Sequence, residues 1–261
     1  MSTAHQLAQM VLGLLIIGFL PGSLLQASTT NGTFLLMSHE GGGEWQQITP
    51  QWQPLPPLLY IAPLVDTAWR TADEQSLLLG LSNRSVLALA PASAFSVSQF
   101  RQEPFVETTP QPSVEPSASI LQIRLEHGRL LIQSGELRSN SSVIIRGNHG
   151  ELRIGSGTAL METTAAATRI WLLDGSARFT PTDGELIFLS AGTSYHQHSD
   201  RAPLRFNFTE AELEENIRKL QQAAMRGFNR LAIVSPAEEG LSPTERRHPN
   251  LPRPRIVQPT P

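Results

Sequence analysis

Between Ile120 and His196, apolar and polar residues alternate with a period of two over most of the length. Leu121, Ile123 and Leu125 alternate with Gln122, Arg124 and Glu126, and Leu130 and Ile132 resume the pattern. Val143 and Ile145 flank Ile144, and Leu152 and Ile154 alternate with Glu151 and Arg153. Ile170 to Leu173 leads on to Ala177 and Phe179, and Leu186 to Leu189 closes the series. This is the period of half-buried antiparallel strands. His127-Gly128, Asp174-Gly175, Asp183-Gly184 and Ala191-Gly192 separate the apolar runs, and turns are expected at each. Glycine takes the positive φ of a tight turn without steric cost, and Asp tolerates it better than most residues. Leu125-Glu126-His127-Gly128-Arg129-Leu130 is echoed by Leu172-Leu173-Asp174-Gly175-Ser176-Ala177. Both read as strand, turn, strand, so the expectation is an all-β fold of stacked short hairpins, a β-roll or β-solenoid.

A second strand-rich block runs from Ser76 to Phe105, with turns at Ser82 to Ser85 and at Ala90-Pro91. It joins the first block through a polar, Pro-rich loop at 104–118. The β-domain is bounded at 71–208. Before it, 28–70 is a Trp- and Pro-rich segment in which Phe34 to Met37 reads as a strand. After it, 209–231 has helical spacing: Leu213, Ile217, Leu220, Ala224, Phe228 and Leu231 form one stripe, and Thr209 with Glu212 forms a capping box. Acids at its start and bases later match the helix dipole. Ser235 to Pro261 is rich in proline and poor in apolar residues, the composition of a disordered tail.

Residues 1–27 read as a signal peptide: an apolar run from Met10 to Leu20, Pro21-Gly22, then Leu25-Gln26-Ala27 as the cleavage site. The run is shorter than the ~20 residues of a comfortable span. The alternatives are an uncleaved N-terminal membrane anchor and a buried helix; export follows from a signal peptide or an anchor. The net charge of −3 gives no reason to expect nucleic acid as a partner. The chain has no Cys, which rules out disulfides, thiolate metal sites and a cysteine nucleophile.

Candidate chemistry is sparse. His196 and His198 alternate on one strand and so share a face, as a metal site requires, and His149 or Asp200 is the nearest candidate third ligand. Nothing in the spacing demands a third ligand, and a solvated strand end is the simpler reading of the pair. Trp45, Trp52 and Trp69 supply a stacking platform for a sugar or a Pro-rich ligand, or else pack at the domain edge. Gly155-Ser156-Gly157 sits among strands and lacks the strand-to-helix setting of a nucleophile elbow. Asp174 and Asp183 precede Gly, which gives them a conformational role. No catalytic residue and no cofactor are assigned.

The block from Ser76 to His196 resembles the FecR-like domain, an exported bacterial β-rich domain. Three stretches carry the likeness. One runs from Leu79-Gly80-Leu81-Ser82-Asn83-Arg84-Ser85-Val86 to Glu103-Pro104-Phe105. The second is Leu125 to Leu130, and the third is Ile170 to Ala177 with Leu189-Ser190-Ala191-Gly192. The family's Thr-Pro-x-Gly turn and its Arg-Gly-Thr are replaced by Arg146-Gly147-Asn148-His149-Gly150 and Gly155-Ser156-Gly157-Thr158. Only nine residues precede the apolar run, so no direct hold on a sigma factor is expected. The resemblance implies a non-enzymatic FecR-like β-roll or β-solenoid with one C-terminal helix. It would sit in the periplasm or cell envelope and act in protein interaction or envelope signalling with an envelope or membrane protein partner. The alternatives are a carbohydrate-binding module using the tryptophans and a cupin-like metal protein using His196 and His198.

Overall fold

A computed structural model describes residues 29–47, 51–105, 114–182 and 184–231. The expected signal peptide at 1–27, the tail at 235–261, Asp183 and residues 106–113 of the Pro-rich loop lie outside them. The described residues form β1 (Thr30–Asn31), β2 (Thr33–Glu40), β3 (Glu44–Gln47), β4 (Gln53–Pro54), β5 (Ile61–Pro63), β6 (Thr67–Arg70), β7 (Ser76–Leu81) and β8 (Val86–Leu89). Then come β9 (Ala94–Gln102), β10 (Ser119–Ser134), β11 (Ser142–Gly147), β12 (Gly150–Thr163), β13 (Ala167–Pro181), β14 (Ile187–Ser190), β15 (Thr193–His198), β16 (Leu204–Asn207) and one helix, α1 (Glu215–Arg230). The strands join in one 16-stranded sheet whose main path runs β16-β15-β13-β12-β11-β10-β8-β7-β2-β5. The sheet does not close on itself. The all-β fold with one C-terminal helix is as the alternation and helical spacing predict.

The sheet rolls over because three long strands turn corners. In β10 the core-facing residues are Leu121, Ile123 and Leu125, then Leu130 and Ile132. In β12 they are Leu152 and Ile154, then Ala159 and Met161; in β13, Ile170 and Leu172, then Ala177 and Phe179. Each strand jumps by five positions, from 125 to 130, from 154 to 159 and from 172 to 177. Five is odd, so an unbroken period of two would aim the second half outward. Register shifts at these places absorb the extra residue as a bulge, which bends the strand and keeps the same face inward. Three positions after the last inner residue of each first half stands a glycine with positive φ: Gly128 at 83°, Gly157 at 93° and Gly175 at 82°. The turns expected at His127-Gly128 and Asp174-Gly175 are therefore corners inside continuous strands of 16 and 15 residues. Gly155-Ser156-Gly157 makes the third corner. Gly157 and Gly175 lie side by side, where β12 and β13 cross together.

One hydrophobic core fills the roll, with side chains from both halves. The segment set apart at 28–70 supplies β1 to β6, and its Phe34, Leu64 and Trp69 are fully buried in that core. A second cluster covers the outer face, where Leu78, Val86, Ala88, Leu131 and Trp171 meet Leu213, Ile217, Leu220 and Ala224. The helix thus buries the stripe that its spacing predicts. Its start differs from the expected one. Glu212 accepts hydrogen bonds from the Thr209 amide at 2.6 Å and hydroxyl at 2.9 Å, but this closes a short 3₁₀ turn, Glu210–Glu212, and α1 begins only at Glu215. The first of these bonds is the larger cause holding the Glu212 carboxyl below its ordinary range. Arg129 ties the helix approach to the sheet, donating to Glu162 at 3.1 Å and to Glu214 at 3.0 Å.

Candidate functional site

The tryptophans do not form a platform. β3 and β6 pair so that Trp45 and Trp69 lie opposite each other, and both point inward. Trp69 is fully buried and donates its indole N–H to the Thr67 hydroxyl at 3.0 Å. Phe34, Trp45, Tyr60, Trp69 and Phe95 make a chain of ring contacts from 4.8 to 6.5 Å. This is core packing of aromatic rings, and it leaves Trp45 and Trp69 no free face for a sugar. Trp52 alone of the three is half-exposed, and the Arg70 guanidinium lies 4.2 Å from its ring centre.

His196 and His198 do share a face of β15, but no ligand set gathers there. Among the described residues, no three His, Asp or Glu side chains lie together as a metal site would require. His196 is instead an aromatic partner: its ring stands 5.7 Å from Trp171 and 4.7 Å from Phe206, edge to face. Its Nε2 is buried without a hydrogen-bond partner. Burial, then the charges of Arg169 and His198, push its pKa down to about 4. The folded state therefore binds this proton less tightly than the unfolded chain. Stability should be untouched above the ordinary value of about 6.5, fall as the pH drops through the window, and reach its full loss below about 4. Because the ring is partly exposed, the loss is about 1 to 2 kcal/mol. Denaturant midpoints for wild type and His196→Phe between pH 7 and 4 test this: the acid-side loss should shrink in the variant, and an unchanged slope would refute the assignment.

Phe206 leads to the sheet's open end. β16 pairs with β15 through Thr193↔Asn207, Ser194↔Phe206, Tyr195↔Arg205 and His196↔Leu204, and no described strand covers its other side. All four of its residues are exposed. Among the described strands, β14 is another paired on one side only, with β13, and the Ala191-Gly192 turn joins it to β15. Among the described residues, eight large apolar side chains are exposed; Leu204 and Phe206 lie on β16, and Leu186 and Phe188 lie at β14. Edge strands are commonly protected by charged side chains, Pro, a bulge or shortness. Leu204-Arg205-Phe206-Asn207 is short and carries one charge, Arg205, but no Pro or bulge lies within it. Chemically, such an edge offers a row of backbone donors and acceptors with an apolar side-chain face beside it.

Comparison with known proteins adds a distant likeness. No protein-family model matches the chain, and no curated protein matches it. Two crystal structures of a protein from Parabacteroides distasonis ATCC 8503, described as an anti-sigma factor, are similar to it at TM-scores of 0.42. The sequence identities are 8% and 11%. Each alignment covers 54% of this chain and 59% of the other, so the chain spans little more than half the length of the protein it matches.

Two further features escape sequence reasoning. A cavity of about 730 Å³ opens between α1 and the Ala90-Pro91-Ala92 turn, and charges of both signs line it: Glu40, Glu74, Lys219 and Arg226. The other is Glu115, 1% exposed, at the end of the Pro-rich loop. Its carboxylate accepts from the Ser119 and Ser141 hydroxyls, and from the Arg138 amide at 3.1 Å. Burial outweighs these bonds and raises its pKa.

Proposed function

We propose that this chain is a non-enzymatic interaction module of the bacterial cell envelope, exported from the cytoplasm, which takes an extended segment of a partner protein along β16. The observation that carries this reading is the one-sided pairing of β16, with Leu204 and Phe206 exposed on the face that also holds His196. An added strand would satisfy the free backbone groups, and alternate side chains of the partner would meet Leu204 and Phe206. Burying the Leu204 chain and the Phe206 ring contributes about 1 to 2 kcal/mol each, enough to select a partner strand by its apolar positions. The FecR-like resemblance supports the envelope setting and the role in signalling.

The test joins capture to location. Full-length protein is used to recover partners from envelope extract of its source, in parallel with a Leu204→Lys, Phe206→Lys variant. A partner held by the wild type and lost by the variant is expected, and its binding should slow backbone hydrogen exchange at 204–207. A partner retained equally by the variant, or protection elsewhere, would move the interface off this edge.

A further inference from the structure

A second exposed apolar feature lies at the opposite end of the strand order, in the loop that leads into β5. Leu58 and Leu59 form its tip, 52% and 48% exposed. The Tyr60 amide donates to the Pro57 carbonyl at 3.1 Å, closing a tight turn, and the Leu59 amide donates to the Leu36 carbonyl at 2.8 Å. Leu59, third in that turn, has φ of 64°, a left-handed backbone where glycine or asparagine is usual. A bulky apolar residue is thus held in an unfavourable conformation and in water at once, and neither helps the fold. Such strain persists only where the surroundings impose it. Here Leu55 and Tyr60 pack on the core at the loop's base, and Tyr60 touches Phe34 and Trp45.

What covers the tip follows from the charge and aromatic pattern around it. From Trp45 to Val65 no residue carries a charge. Trp52 and Tyr60, both half-exposed, lie in the same uncharged stretch as the two leucines. Trp and Tyr favour the membrane–water interface because each has an apolar ring and a polar end. Arg70, which lies over Trp52, is also paired with Glu44. We propose that the Leu58-Leu59 tip inserts into the interfacial layer of a lipid membrane, with Trp52 at headgroup depth. Insertion rests on apolar area, so it should depend little on salt or on anionic lipid.

Trp52 reports this directly, because Trp45, Trp69 and Trp171 are buried. Full-length protein is mixed with phosphatidylethanolamine–phosphatidylglycerol vesicles carrying brominated acyl chains, and tryptophan fluorescence is compared with unbrominated vesicles. Quenching is expected in the wild type and absent in Trp52→Phe. Leu58→Asp with Leu59→Asp should abolish it. Leu59→Gly removes the strain while keeping the turn, so it should fold at least as well and still quench several-fold less. The apolar run at Met10 to Leu20 can hold the full chain on vesicles by itself, so the readout is quenching that depends on Leu58 and Leu59, and not binding. Wild type bound without quenching, or quenching that survives both leucine variants, would overturn the proposal.

Discussion

Alanine at Gly175 should destabilise this protein by at least about 3 kcal/mol, a large part of the 5 to 15 kcal/mol typical of a domain. Two effects add. The backbone there has φ of 82°, which a side chain occupies at a cost of about 1 kcal/mol. A Cβ would also stand 2.1 Å from the Ser156 carbonyl oxygen and 3.0 Å from the Gly157 Cα. Those are backbone atoms of β12 at its own corner, so relief requires the paired strands to part where they turn together. Gly192→Ala separates the two effects. Its φ of 77° carries the same conformational penalty, yet its Cβ would meet nothing nearer than the Phe208 oxygen at 3.5 Å. Urea unfolding should show Gly192→Ala about 1 kcal/mol below wild type and Gly175→Ala far lower or unfolded. Equal losses would mean that the corner tolerates a side chain and that the close approach of the strands is not what fixes the bend.

The same corners show how much of the fold is legible in the sequence. Alternation marks the strands, and the stripe from Leu213 to Ala224 marks the helix, because burial on one face leaves a periodic trace. The echo between Leu125–Leu130 and Leu172–Ala177 is real, but its meaning is a corner and not a hairpin turn. Glycine with positive φ serves both purposes, so residue type cannot separate them. The phase of the pattern can. A two-residue hairpin starts a new strand with its own register, whereas a corner carries the core face across an odd interval. Ile154 to Ala159, with Gly157 in the same place, is a third copy that this rule finds and residue similarity misses.

The site residues are less legible because their signals are not periodic. Trp45 and Trp69 lie among prolines, on β3 and β6, strands of four residues each, too short to show alternation. Their burial depends on pairing with each other and with Phe95 across β9. His196 and His198 lie on one face, as alternation requires, but which side chains approach that face is decided by Trp171 and Phe206, on two other strands. The open edge at β16 is a property of strand order, which no local pattern encodes. Glu115 looks like one more charge in a polar loop, and only long-range hydrogen bonds show that it is buried.

Those bonds make Glu115 the second position where a single change should have a large effect. Its carboxylate gathers the Ser119 and Ser141 hydroxyls and the Arg138 amide; Ser119 also accepts from the Asn83 amide side chain at 3.0 Å, and the Ser119 amide donates to Ser141 at 3.0 Å. The group thus joins the β7–β8 turn, the start of β10 and the loop before β11. Alanine would leave buried donors without an acceptor, and Glu115→Ala should lose about 2 to 4 kcal/mol. Glutamine keeps one carbonyl acceptor and most of the volume, so Glu115→Gln should lose about 1 kcal/mol or less at neutral pH. The pH dependence has a definite sign. Burial raises the folded-state pKa above the ordinary 4.5, so the folded protein holds this proton more tightly than the unfolded chain. The wild type therefore gains stability as the pH falls from neutral through the folded-state value, and that gain is complete below 4.5. Glutamine cannot titrate. The difference in unfolding free energy between wild type and Glu115→Gln should accordingly grow in favour of wild type from pH 7.5 to pH 5. The opposing titration of His196 is present in both proteins and cancels from the difference. A difference that stays flat with pH would show that the hydrogen bonds offset the burial and that Glu115 stays ionised inside the fold.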